Sequence, residues 1–181
     1  MPNRPERETS LLKLCYSHAA KLVVAEFQRR EATRSVSSIY VRDGVTREYQ
    51  RLAPPDDALS YQHPFPVRSE PFVYFNVMKV SERGGGAWLH IARANLVTRE
   101  VEVVLSMKEL DATMNVDRSW RIGSWVSDLQ SVSDDGTTIT CLLGVPEPQG
   151  GGSFHMNYSL FDFDVRDRTM TLLARLDTPF L

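Results

Sequence analysis

Residues 131–143, SVSDDGTTITCLL, and residues 158–176, YSLFDFDVRDRTMTLLARL, decide the reading of this chain. The first is a tight polar turn feeding a run of β-branched and apolar residues. The second is two extended runs around another polar turn. Together they form one antiparallel unit, and the same unit occurs twice upstream. CYSHAAKLVVAEF, PVRSEPFVYFNV and SVSDDGTTITCLL align Ser17, Val67 and Ser133, and also Val23, Val73 and Ile139, at steps of 50 and then 66 residues. The closing halves IYVRDGVTREYQRL, HIARANLVTREVEVVL and LFDFDVRDRTMTLLARL align Asp43, Asn95 and Asp164, together with Arg47, Arg99 and Arg168, at steps of 52 and 69. Two independent anchors drift by only two or three residues per copy. Repetition at such a period marks a repeat architecture.

The run after the first turn of each copy (LVVAEF, FVYFNV, ITCLL) is apolar on both side-chain parities, which predicts a strand covered on both faces. The last run of each copy (REYQRL, EVEVVL, TMTLLARL) is more mixed, as befits a strand nearer the outside. A four-stranded antiparallel sheet stacked on its neighbours is a propeller blade. Ser133, Asp135, Gly136 and Ile139, followed by Asp164 and Arg168, resemble the S-x-D-G-x-x-I blade signature of TolB-type and WD-like propellers. The resemblance implies an all-β fold of three blades, about 11–53, 59–106 and 124–176, behind a flexible arm at 1–10. The blades form a partial β-propeller that dimerisation could close.

Leu12, Cys15, Ala19, Leu22, Val23 and Phe27 also fit one face of a helix, and the repeat alignment decides for strands over 11–28. Between the second and third blades about thirteen more residues intervene than between the first and second, around KELDATMNVDRSWRIG. In the third blade VPEPQGGGSFHMN reads as a long connection that places His155 on a loop. Up-down alternation puts the short a–b and c–d turns on one face of the blades and every length change on the other. Variable connections on a rigid scaffold are where binding residues concentrate.

The chain has 181 residues, 42% hydrophobic and 24% charged, an ordinary globular composition. A formal charge of -2 removes the broad attraction to polyanions, so neither nucleic acid nor an anionic membrane is an expected partner. No run approaches the roughly 20 apolar residues of a membrane span, and MPNRPERETS is no signal peptide, so the expected location is cytoplasmic. Cys15 and Cys141 read as buried thiols of a reducing compartment.

No known catalytic spacing is present. The triplets at 84–86 and 150–152 lack the Lys-Ser/Thr of a phosphate loop, the four histidines show no H-x-x-x-H or H-E-x-x-H spacing, and no G-x-S-x-G occurs. His90 reads as a packed strand residue. The candidate ligand-binding residues are polar and aromatic groups on inner strands or at their mouths: Tyr61, Gln62, His63, Trp125, Asp128 and His155. A binding or scaffold module is therefore the first expectation, with no cofactor and no metal. Its partners would be a protein or a small carbohydrate, and a second copy of the chain or the rest of a longer propeller. The alternative is enzymatic. YQHPFPVRSEPFVYF resembles a segment of oligogalacturonate lyases, which implies a metal-dependent polysaccharide lyase or hydrolase with His63 as a ligand.

Overall fold

The computed structural model describes residues 10–30, 34–52, 58–81, 86–114, 125–151 and 153–176. Twelve strands form three antiparallel four-stranded meanders. The first sheet comprises β1 (Ser10–Ser17), β2 (Leu22–Arg30), β3 (Ser35–Arg42) and β4 (Tyr49–Arg51). The second comprises β5 (Leu59–Pro66), β6 (Phe72–Val80), β7 (Gly86–Asn95) and β8 (Val101–Ser106). The third comprises β9 (Trp125–Val132), β10 (Thr138–Gly150), β11 (Ser153–Asp164) and β12 (Thr169–Leu176). The fold is all-β, and strands, not a helix, occupy residues 10–30.

The double-sided runs do what their composition requires. β6 sends Val73, Phe75 and Val77 into a core shared with Val24, Ile39 and Val41 of the first sheet. Its opposite parity sends Tyr74 into a second core with Ile139, Cys141, Leu143 and Phe161 of the third. Each side chain so buried stabilises the fold by about 1.5–3 kcal/mol relative to exposure. The three sheets therefore stack in sequence order, the second between the other two. The outermost strands are the wettest: β12 is exposed along most of its length, and β8 along its first half.

All three copies of the closing-turn alignment are structural. Asp43 Oδ1 accepts the N–H groups of Val45 and Thr46, Asn95 Oδ1 those of Val97 and Thr98, and Asp164 Oδ1 those of Arg166 and Asp167. Four residues on, Arg47, Arg99 and Arg168 all lie in the left-handed region, with φ of 58°, 68° and 57°. The column of Asp/Asn and the column of Arg are one Asx-type turn built three times.

One expectation needs correction. The long connection of the third blade is ladder: Gly144 pairs with Tyr158 and Glu147 with His155, and the chain reverses only near Gly150 and Gly151, both at positive φ. His155 is thus a strand residue. Glycines in the run mark the reversal alone, and the residues either side keep pairing because each backbone group needs a partner. The insertion after β8 begins with α1 (Met107–Met114), which Glu109 starts by accepting both the N–H and the hydroxyl of Ser106. Leu110 of this helix is fully buried in the second core. The rest of the insertion, 115–124, lies outside the described residues, as do the arm at 1–9 and residues 177–181.

Candidate functional site

The first strand of the second sheet, β5, is pressed between β1, β2 and β3 on one side and β9 on the other. Its pairing with β6 is interrupted between Gln62 and Phe65. His63 occupies that irregularity at φ 55°, a left-handed conformation that costs a non-glycine residue of order 1 kcal/mol or more. Pro64, next in the chain, steers its predecessor away from the right-handed helical region. Out of the ladder, the His63 N–H needs another acceptor, and Glu26 of the first sheet supplies it: Oε2 lies 2.9 Å away. Glu26 is only 1% exposed, so its carboxylate is a buried anchor holding the strained turn.

From the third sheet Asp128 approaches. Its Oδ1 lies 3.1 Å from His63 Nδ1, and the two side chains are 43% and 47% exposed. Nδ1 itself is buried and finds no well-aligned hydrogen-bond partner, so the two groups lie close without a formed N–H···O bond. Asp128 Oδ2 is steadied by the Gln130 amide at 3.0 Å. Behind the pair runs a polar seam. Gln62 Nε2 donates to Ser60 Oγ at 3.1 Å, and Ser60 Oγ also accepts the Ser37 N–H at 2.8 Å. Cys15 Sγ reaches the Pro64 carbonyl at 3.4 Å, and Lys13 Nζ sits 3.5 Å over the Phe65 ring. Burial raises the Cys15 thiol above its ordinary range, more than Lys13 lowers it.

All three sheets thus converge on His63. The structure brings His63 and Asp128 together and turns the Gln62 amide to Ser60 behind them. It buries Tyr61 in the first core, edge-on to Phe75 with centroids 5.9 Å apart. Trp125 opens β9 opposite Gly144, and His155 is exposed on the β10–β11 hairpin, facing Glu147 across the ladder. His90 is half-buried in β7, and its burial lowers its pKa. Sequence reasoning passed over Glu26, although a lone acid within the apolar run LVVAEF was the available signal. Among the described residues no group of three His, Cys, Asp or Glu side chains could hold a metal ion, so His63 lacks the companions that the lyase resemblance implies.

Two depressions lie elsewhere. One, of about 390 Å³, opens between the turns of the second and third sheets and includes Arg93, Asp135 and Gly136. In it Arg93 pairs with Glu102 and stacks on Phe72, and Asp135 accepts from Ser133 and Thr137. The other, of about 360 Å³, lies between Met114 of α1 and Phe161, Leu172 and Arg175 of the third sheet. No described helix is long and apolar enough to cross a membrane.

No family model matches the chain, and no curated protein matches it. Among solved structures, an oligogalacturonate lyase from Vibrio parahaemolyticus is similar to it with a TM-score of 0.45 and 11% identity, over 93% of this chain and 49% of that one. The chain spans about half the length of that structure.

Proposed function

We infer that the chain is a binding module whose ligand engages the Gln62, His63 and Asp128 cluster from the face bearing the b–c and d–a connections. The observation that carries this reading is His63 at φ 55°, pinned by the buried Glu26 carboxylate while its own ring stays half-exposed beside Asp128. Strain held in place by a buried charge is maintained against a stability cost, and such strain clusters at ligand sites. The His63 imidazole, the Asp128 carboxylate and the Gln62 and Gln130 amides offer donors and acceptors close to one another. That set suits a small hydroxyl-rich ligand of carbohydrate kind.

Isothermal titration against a panel of neutral and acidic oligosaccharides tests it. Binding heat should appear with at least one member and be lost in His63→Ala and in Asp128→Ala, with circular dichroism unchanged. Heat retained in both variants, or none across the panel, would refute the reading.

A further inference from the structure

Residues that the repeat places in one column are buried in two sheets and half-open in the remaining one, and the open side differs at the two ends of the stack. In the row facing the preceding sheet, Val73, Phe75 and Val77 of the second sheet are at most 1% exposed, and Ile139, Cys141 and Leu143 of the third are fully buried. The same row of the first sheet is Val23, Ala25 and Phe27, of which Val23 and Phe27 are only half-buried. That face continues into Leu14 and Tyr16, 60% and 50% exposed. In the row facing the following sheet, Tyr74 and Asn76 are buried, whereas Thr140 and Leu142 of the third sheet are half-buried. Among the described residues, no sheet lies against either end face.

The two end faces differ in charge. The first carries Arg42 and Arg51, each with a buried Nε that has no hydrogen-bond partner. Arg42 stacks on Tyr49, and Arg51 donates to Ser38, which places both beside Phe27 and Tyr40 on the outward side. The last face carries Asp162, hydrogen-bonded by Thr140, in the same ladder as Leu142 and Leu160. An arginine-rich aromatic face and a carboxylate-bearing aliphatic one are complementary.

The left-handed arginines add an independent indication. Arg99 of the second sheet reaches back to Gln50 of the first, Nη2 to Oε1 at 3.4 Å. Arg168 of the third sheet reaches back to Glu109, in the helix that follows the second. Arg47 has the same backbone conformation in the first sheet, yet its exposed side chain makes no hydrogen bond or ion pair among the described residues.

We propose that the first sheet of this chain stacks on the third sheet of a second copy, and reciprocally, so that two copies close head to tail about a twofold axis. The chain carries both complementary faces, and a twofold arrangement uses each of them once per copy. Two sets of three sheets make six, within the range of about four to eight at which stacked blades close into a ring. Arg47 then crosses to the partner copy as Arg99 and Arg168 cross within the chain.

Sedimentation velocity of the full chain at micromolar concentration tests this, with a species of twice the chain mass expected. Leu14→Asp damages one end face and Leu142→Asp the other, and each alone should be monomeric. Mixing them leaves one contact of the two intact, so dimer should partly reappear. Arg47→Ala, at an exposed side chain, serves where the aspartate variants do not fold. It should weaken the dimer by about fivefold while leaving circular dichroism unchanged. A monomeric wild type, a series of growing polymers, or an Arg47→Ala dimer as tight as the parent would each overturn the proposal. So would a Leu142→Asp dimer, which would show the first face pairing with itself.

Discussion

The Tyr74 hydroxyl donates a 2.7 Å hydrogen bond to the carbonyl of Gly136, joining the middle strand of the second sheet to the first turn of the third. Gly136 has φ 70°, and a Cβ there would lie 3.1 Å from one methyl of Val67. Tyr74 is fully buried, and its burial raises the phenol pKa more than Arg93 lowers it, so the hydroxyl keeps its proton and remains a donor. Tyr74→Phe should cost about 1–3 kcal/mol by orphaning the carbonyl, and Gly136→Ala about 1–3 kcal/mol through its backbone. Because both act on one seam, chemical denaturation of the double variant should show less than the sum of the two losses.

His63 makes the opposite expectation. Glycine accepts φ 55° without strain, so His63→Gly should hold or raise stability, by up to about 1 kcal/mol, while abolishing ligand binding. Glu26→Ala should cost about 1–3 kcal/mol by leaving the half-buried His63 N–H without an acceptor. Glu26→Gln, which keeps an acceptor, should cost less. Urea unfolding of the three variants reads this order directly.

Acid should destabilise the protein through its turn carboxylates. The Thr137 N–H, with the Ser133 and Thr137 hydroxyls, holds Asp135 at about 2, and the Thr46 and Val45 N–H groups lower Asp43. Glu109 is also lowered: desolvation opposes the shift, but Ser106 and Arg168 outweigh it. Each folded-state pKa lies below its unfolded value. Their contribution is therefore complete above about pH 5 and is lost as the pH falls through the folded-state values. Thermal melts between pH 5 and 2 should show that loss, and Asp135→Asn should make the acid limb shallower.

Burial pushes the Cys141 thiol up to about 12, with Asp162 adding to the effect. At pH 8 a thiol reagent should leave Cys141 unmodified in the native protein and label it on unfolding. Prompt native labelling, read by mass spectrometry, would contradict the packing of β10 against the second sheet.

The repeat was legible because its determinants are local. An Asp or Asn that caps its own turn, an arginine four residues later and a strand apolar on both parities are short-range patterns, and all three recur in the described turns and sheets. The β10–β11 extension was not legible, because ladder pairing through Pro146 and Pro148 depends on the opposite strand and not on propensity. The start of α1 had a local signal, the Ser106–Glu109 cap, but its anchoring by the burial of Leu110 did not. The sequence alone could nominate Gln62, His63 and Asp128 as polar groups on inner strands. That His63 and Asp128 meet, and that Glu26 from a third direction holds the bend in β5, is decided by the stacking of sheets far apart in the chain. Burial gives those long-range contacts their energy, and no local pattern encodes which buried carboxylate will face which unpaired N–H.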